Sequence, residues 1–156
     1  MAIFVGEFDQ QIDAKHRLAI PAPLREPIDA DEDGKNFYLV LGPDRYLRLY
    51  PDQYFSRLLQ GLQRSPFPDR ESQKLALLYA MARVVKADSQ GRVVLPEKSM
   101  QRALIAEKVT LVGKGDHIEI WPSEDWERYL AEAMPRYGED LLDAGDRLAS
   151  AATTDK

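Results

Sequence analysis

The sequence predicts an α+β fold built from two copies of one small unit, and three observations carry that expectation. Asp13-Ala-Lys-His-Arg17-Leu-Ala-Ile-Pro21 recurs as Asp88-Ser-Gln-Gly-Arg92-Val-Val-Leu-Pro96, 75 residues later. Asp44-Arg-Tyr-Leu-Arg-Leu-Tyr50-Pro51 is echoed 71 residues on by Gly115-Asp-His-Ile-Glu-Ile-Trp121-Pro122, and Phe55 by Trp126. The two offsets differ across the acid-rich stretch around residues 29 to 35, as a short loop insertion in the first copy would produce. In both copies, short segments of strand period are followed by proline-opened helical stretches, so whatever one unit does is done twice.

The elements follow in order. Residues 3 to 13 and 17 to 20 read as two strands joined by a turn, with Leu18 and Ile20 alternating against Arg17 and Ala19. Pro21 to Pro27 suits a short helical turn, because proline is tolerated at a helix start and stops it later. Phe37 to Leu41 and Tyr46 to Tyr50 form a hairpin around Gly42-Pro43-Asp44. Pro51 opens a helix carrying Tyr54, Phe55, Leu58, Leu59 and Leu62 at helical spacing. A linker from Arg64 to Asp69 leads to a helix from Asp69 to Met81 with Leu75 and Leu78 on its apolar stripe.

The second copy repeats this order. A strand runs to Ala87, the turn follows, and Arg92 to Leu95 form the next strand. Then come a helix from Pro96, a hairpin over 109 to 121 around Gly113-Lys-Gly115, and a helix from Ser123 with acids in its first turn. A last acidic helix spans Tyr137 to Ala149, and the Ala-Ala-Thr-Thr tail after it is expected to fray. Each half holds about four short strands, too little for an independent core, so the halves should interlock in one domain. The expected divisions are a first unit over 3–62, linker and helix over 63–82, a second unit over 83–130, and an acidic helix and tail over 131–156.

Composition narrows the function classes. With 44% apolar and 30% charged residues, the 156-residue chain reads as an ordinary soluble globular protein. No apolar run approaches the roughly 20 residues of a membrane helix, so no membrane partner is expected. Glu7, Asp9 and Asp13 stand where an export signal would need an apolar core. The absence of cysteine removes disulfides, thiolate zinc sites and cysteine nucleophiles, and suits a reducing cytoplasm. A net charge of −5 argues against nucleic acid until its distribution is read. Residues 83 to 108 carry six bases and three acids, whereas 116 to 156 carry eleven acids and four bases. Residues 1 to 25 are balanced, with three of each. Local charge governs docking, because fields from exposed groups fade over about 8–10 Å in physiological salt.

The repeated turn admits two readings. As structure, Asp13 and Asp88 accept from backbone N–H groups further along, Gly91 supplies a positive-φ position, and each arginine can pair back to its aspartate. As function, Lys15, His16, Arg17, Ser89, Gln90 and Arg92 are donors on two projecting turns. A guanidinium fork suits phosphate oxygens or the O6/N7 edge of guanine. Asp13, Asp88 and Gly91 are therefore taken as turn-shaping, and the six donors as the DNA-contacting set.

These residues together resemble the MraZ family, whose members carry two Asp-x-x-x-Arg turns in tandem AbrB-like swapped-hairpin units. The resemblance covers about residues 3 to 135, including Gly6-Glu7, Ile12-Asp13-Ala-Lys15 with Arg17, Ile20-Pro21-Ala22 and Leu24-Arg25. It continues through Tyr50-Pro51, Asp88 to Arg92, Leu95-Pro96 and Ile118 to Trp121 with Trp126. It implies two pseudo-symmetric swapped-hairpin barrel units flanked by helices. It further implies a nucleoid-associated bacterial DNA-binding repressor of the division and cell-wall gene cluster, acting on tandem promoter repeats as a homo-oligomeric ring, with no cofactor. One departure is His16, where the family's first turn usually has glycine; a histidine there would sit at positive φ at a cost of about 1 kcal/mol.

Other readings are weaker. Asp29-Ala-Asp31-Glu-Asp33-Gly34 imitates a calcium loop, but its twelfth position is Val40 rather than glutamate, and strand rather than helix follows. The two histidines, His16 and His117, are expected at turns or the surface rather than as catalytic bases, and Gly113-Lys-Gly115 lacks a nucleotide fingerprint's third glycine. No catalytic or metal site is therefore assigned. An antitoxin-like or other protein-interaction module is the main alternative, ahead of a small hydrolase or transferase, although antitoxin-like proteins usually carry one unit and a flexible tail. Tyr50, Phe55, Trp121 and Trp126 are spaced for core packing rather than base stacking.

Overall fold

A computed structural model describes residues 1–62 and 65–154. Gln63 and Arg64, in the expected linker, and Asp155 and Lys156, at the end of the tail, lie outside the described residues. The chain divides into a compact unit over Met1–Ser123 and a helical one over Glu124–Lys156.

The architecture of the first unit is α+β. Strands β1 (Glu7–Gln11), β3 (Phe37–Leu41), β4 (Leu47–Pro51), β5 (Arg83–Val85), β7 (Lys108–Gly113) and β8 (Ile118–Pro122) form one antiparallel sheet. Its order is β1-β7-β8-β4-β3-β5. Strands β2 (Arg17–Ala19) and β6 (Arg92–Val94) form a separate two-stranded ribbon. The outer strand of each half therefore pairs with the other half's hairpin: β1 lies on β7, and β5 on β3. Neither half could complete its sheet alone, so the halves interlock. The six-stranded sheet keeps two edges, β1 and β5, and among the described residues no ladder closes it into a barrel.

The register is symmetric about two central pairs. Leu47, Arg48 and Leu49 face Ile120, Glu119 and Ile118 across β4 and β8. Arg17, Leu18 and Ala19 face Val94, Val93 and Arg92 across β2 and β6. With repeat offsets of 71 and 75 residues, Arg48 faces its own counterpart Glu119, and Leu18 faces its counterpart Val93. A pseudo-twofold axis passes through both pairs. Around it Leu18, Leu49, Val93, Leu111, Ile118 and Ile120 are wholly buried, and Phe4 and Ile20 almost so. Burial of one such side chain contributes about 1.5–3 kcal/mol, so the shared core outweighs any single surface contact.

The helices are short. They are α1 (Ala22–Arg25), α2 (Asp52–Gln60), α3 (Arg70–Lys74), α4 (Ala76–Ala80) and α5 (Glu97–Arg102). In α2 the side chain of Phe55 is buried, with its ring 4.6 Å from that of Tyr50 and 5.1 Å from that of Tyr38. Tyr46 stacks on Trp121 at 3.8 Å, so these aromatics pack within the protein, as their spacing predicts. Helix α6 (Ser123–Ala133), which belongs to the second unit from Glu124 on, holds Trp126 stacked on Tyr129, and α7 (Tyr137–Thr154) follows a single 3-10 turn over Met134–Arg136. No described helix is long and apolar enough to cross a membrane.

Several expectations need correction. The strand expected over 3–13 is interrupted at Gly6 (φ +96°), leaving Phe4 as an isolated bridge to Gly115. The helix expected from Asp69 to Met81 breaks at Leu75, whose N–H bonds back three residues to Ser72 and tightens the turn. Asp69 caps α3 by accepting from Ser72 N–H. The Ala-Ala-Thr-Thr tail does not fray through its described residues, because α7 continues to Thr154. The acid-rich loop is a closed turn: Asp33 Oδ2 accepts from Asp29 N–H, and the Asp33 carbonyl receives Gln53 and Tyr54 N–H at the start of α2. Its acids thus have structural duties as turn and helix cap.

Candidate nucleic-acid interface

The two repeated turns superimpose bond for bond. In the first, Asp13 Oδ1 accepts from the N–H groups of Lys15 and Arg17, both at 2.9 Å, and Oδ2 receives Arg17 Nε at 2.6 Å. In the second, Asp88 Oδ1 accepts from Gln90 and Arg92 N–H, both at 2.9 Å, and Oδ2 receives Arg92 Nε at 2.8 Å. Each aspartate carbonyl also closes the turn, accepting from His16 N–H in one and Gly91 N–H in the other. The backbone N–H of Arg17 is the chief reason the Asp13 carboxyl ionises below its usual range, and Arg92 does the same for Asp88. Both carboxylates are therefore held charged where they grip their arginines.

That grip orients the guanidinium. The Nε edge of each arginine is taken by its own aspartate, and the terminal amino groups have no partner among the described residues. The side chains are about one third exposed, 33% for Arg17 and 30% for Arg92. Four N–H donors on Nη1 and Nη2 thus remain, including a parallel pair for an acceptor outside the protein, the geometry that suits phosphate or a guanine edge.

The ribbon brings the turns together. Leu95 N–H donates to the His16 carbonyl, and Ile20 N–H to the Gly91 carbonyl, so each turn is tied to the other half's exit strand. Leu18 and Val93 fill the inner face of the ribbon; Arg17, Ala19, Arg92 and Val94 share the outer one. Arg17 and Arg92 are diagonal neighbours there, with Cα atoms about 7–8 Å apart. Lys15, Ser89 and Gln90 are exposed at the turn tips, and His16 is half-buried. All six sequence-predicted donors therefore lie on or beside one ribbon.

His16 and Gly91, the same position of the two turns, both adopt left-handed backbone, with φ +61° and +75°. Gly91 has a second constraint that sequence reasoning missed. A Cβ there would lie 2.5 Å from Arg25 Cδ, because the Arg25 side chain crosses from the first half and lies over the second turn. Arg25 is held by an Nε bond to the Ile20 carbonyl at 2.8 Å. Its counterpart in the second half is Met100, so only the second turn gains this cation. The glycine in one turn beside a histidine in the other was the available signal.

His117, expected at a turn or surface, lies in the β7–β8 turn, and its side chain is buried there. Its Nδ1 lies 2.8 Å from Asp116 Oδ1 and its Nε2 2.9 Å from Glu119 Oε2, while Trp121 Nε1 donates to Glu119 Oε1 at 2.9 Å. Tyr54 OH donates to Asp116 Oδ2 at 2.7 Å. This network ties α2 to the β7–β8 turn and to β8. No cluster of three or more histidine and carboxylate side chains able to hold a metal ion occurs among the described residues.

The family described as "MraZ protein, putative antitoxin-like" matches residues 3–77 and 78–140, a division that falls between the two turns. A Transcriptional regulator MraZ from Desulforamulus reducens is 33% identical over 145 residues, covering 90% of this chain and 99% of that protein. Another, from Heliobacterium modesticaldum, is 33% identical over 138 residues, covering 88% and 93%. A third, from Lactiplantibacillus plantarum, is 32% identical over 145 residues. These proteins are named for regulation rather than for a catalysed reaction. With the duplicated turn, its span and its relatives all in agreement, this chain belongs to the MraZ family.

Proposed function

We propose that this chain is a DNA-binding transcriptional repressor that grips double-stranded promoter DNA through its twin turns. The observation that carries the reading is the pair of carboxylate-oriented guanidiniums on the outer face of one ribbon. Arg17, Arg92 and Lys15 make the charged contacts, and His16, Ser89 and Gln90 act as neutral donors. Asp13 and Asp88 hold the turns, with Gly91, and stay off the phosphates because like charges repel. The strand exchange between units 3–62 and 83–130 is read as the swapped-hairpin arrangement of AbrB-like units.

One subunit has few cations on a body of net charge −5, so it binds weakly alone. A homo-oligomeric ring makes later contacts intramolecular, and such avidity gains about 10²–10⁴ in affinity. Tandem repeats in the promoter of the division and cell-wall gene cluster are the DNA architecture such a ring selects, in the cytoplasm at the nucleoid. The test is a gel shift with promoter fragments carrying one, two and three repeats. Affinity rises steeply with repeat number, and the salt dependence shows a log–log slope of about −0.9 per neutralised phosphate. Arg17→Ala with Arg92→Ala weakens binding while the assembly survives; undiminished binding by that double variant would sink the proposal. The antitoxin-like wording of the matched family supports a second reading, capture of a protein partner. A pull-down from lysate that recovers a stoichiometric protein, with no shift of promoter DNA, would favour it.

A further inference from the structure

We infer that Val94, and more weakly Ala19, reads the C5-methyl group of a thymine beside the guanine that the neighbouring arginine contacts; this rests on the DNA-binding reading of the turns. The observation is an exposed valine beside the two guanidiniums on the ribbon's outer face. Val94 is 56% exposed, while its strand neighbour Val93 is wholly buried. The valine therefore contributes little to the core, although it lies at the centre of the donor surface.

Register shows what surrounds it. Val94 is directly opposite Arg17, and Ala19 is directly opposite Arg92. Each rung of the ribbon thus presents one guanidinium and one small apolar side chain, about 5 Å apart at Cα. The two rungs are related by the pseudo-twofold axis through Leu18 and Val93. Successive rungs on one face are two residues apart, or about 6.8 Å. That equals two base-pair steps at about 3.4 Å each.

A two-stranded ribbon fits the major groove, and there thymine alone offers an apolar group, its methyl. Each aspartate already holds its arginine's Nε, so the remaining donor edge has a fixed direction and the side chain across the rung meets the adjacent base. A methyl contact excludes cytosine, which presents an amino donor instead. Val94 reaches further than Ala19, so the rung containing Arg17 discriminates more strongly than the rung containing Arg92.

The test selects binding sites from a random duplex pool with the full chain and with Val94→Ser. The wild-type consensus contains a thymine next to a guanine. Deoxyuridine at that thymine, which removes only the methyl, weakens wild-type binding about fourfold, the effect of burying one such group. Val94→Ser binds the thymine and deoxyuridine duplexes equally, with melting and assembly unchanged. The inference is overturned if deoxyuridine at every consensus thymine leaves wild-type binding unaltered, or if Val94→Ser keeps the same preference. Loss of assembly in Val94→Ser would also overturn it, by giving the valine to a subunit contact. Failure to enrich any consensus is a different result, because it removes the sequence-specific reading of the turns themselves.

Discussion

Arg48 stands directly across β4 and β8 from Glu119, and the two are the same position of the two repeats. A residue faces its own counterpart only on the axis that relates the copies. Two identical units would place like charges against each other there; this chain places an arginine against a buried glutamate, with Nη2 to Oε2 at 3.6 Å. Glu119 also accepts from Trp121, contacts His117 and has Lys114 Nζ 3.9 Å from Oε1, so its charge is compensated from four sides. The axis that brings the twin turns together is therefore pinned by a heterologous polar cluster as well as by Leu18 and Val93.

Glu119 variants should separate these roles. Glu119→Gln keeps an acceptor for Trp121 but removes the charge, and loses about 2 kcal/mol, the scale of a charge-assisted bond. Glu119→Arg sets two cations on the axis and loses about 3–5 kcal/mol, as unpaired buried charge does. Adding Arg48→Glu restores only part, because Lys114, Trp121 and His117 still face a cation. Urea melts at neutral pH check the order; equal losses for Gln and Arg would show that the charge pairing is immaterial.

His16 and Gly91 should respond oppositely to exchange. His16→Gly relieves a left-handed side chain worth about 1 kcal/mol, offset by about 0.4–1 kcal/mol of added freedom in the unfolded chain. The net is a stabilisation of at most about 0.5 kcal/mol. Gly91→His adds the same strain and forces Arg25 off the Ile20 carbonyl, losing about 2 kcal/mol in all. Thermal melts of the two variants decide; a clear fall for His16→Gly would show that the histidine makes a compensating contact.

How much was legible in the sequence depended on whether the information was local. The turns are written in consecutive residues, so Asp13 and Arg17, and Asp88 and Arg92, could be paired before any fold was known. Duplication implied interlocking halves, and the hairpin of β3 and β4 followed from period and turn residues. The register did not: nothing near Leu18 says that it meets Val93, because that pairing is set by the shared core. Arg25 was hidden for the same reason, lying far from Gly91 in sequence but over it in space. His117 falls in a turn as expected, but a lone histidine there carries no sign of the two carboxylates that enclose it. The break at Leu75 was missed because α3 and α4 each have ordinary helical composition, and only backbone bonding separates them.

Acid and alkali should act on different parts of this framework. Asp13 and Asp88 are held below their ordinary range chiefly by the Arg17 and Arg92 backbone N–H groups. For Asp116 and Glu119, burial pushes upward, but the His117 hydrogen bond, joined by Tyr54 at one and Trp121 at the other, pulls both lower. A carboxyl with a depressed folded value stabilises the fold above its unfolded value and loses that contribution as pH falls through the folded one. These four groups therefore weaken the protein in acid, below about pH 4. Tyr54 has the opposite sign: burial, and then the bond to Asp116, raise its phenol from 10.0 to about 12. Its contribution is complete below pH 10 and disappears as pH climbs towards 12. In Tyr54→Phe, the stability deficit against wild type is constant through neutral pH and shrinks over that alkaline window. Phenolate absorbance loses its highest step in the same variant. If that step persists without Tyr54, the tie between α2 and the β7–β8 turn does not hold this phenol neutral.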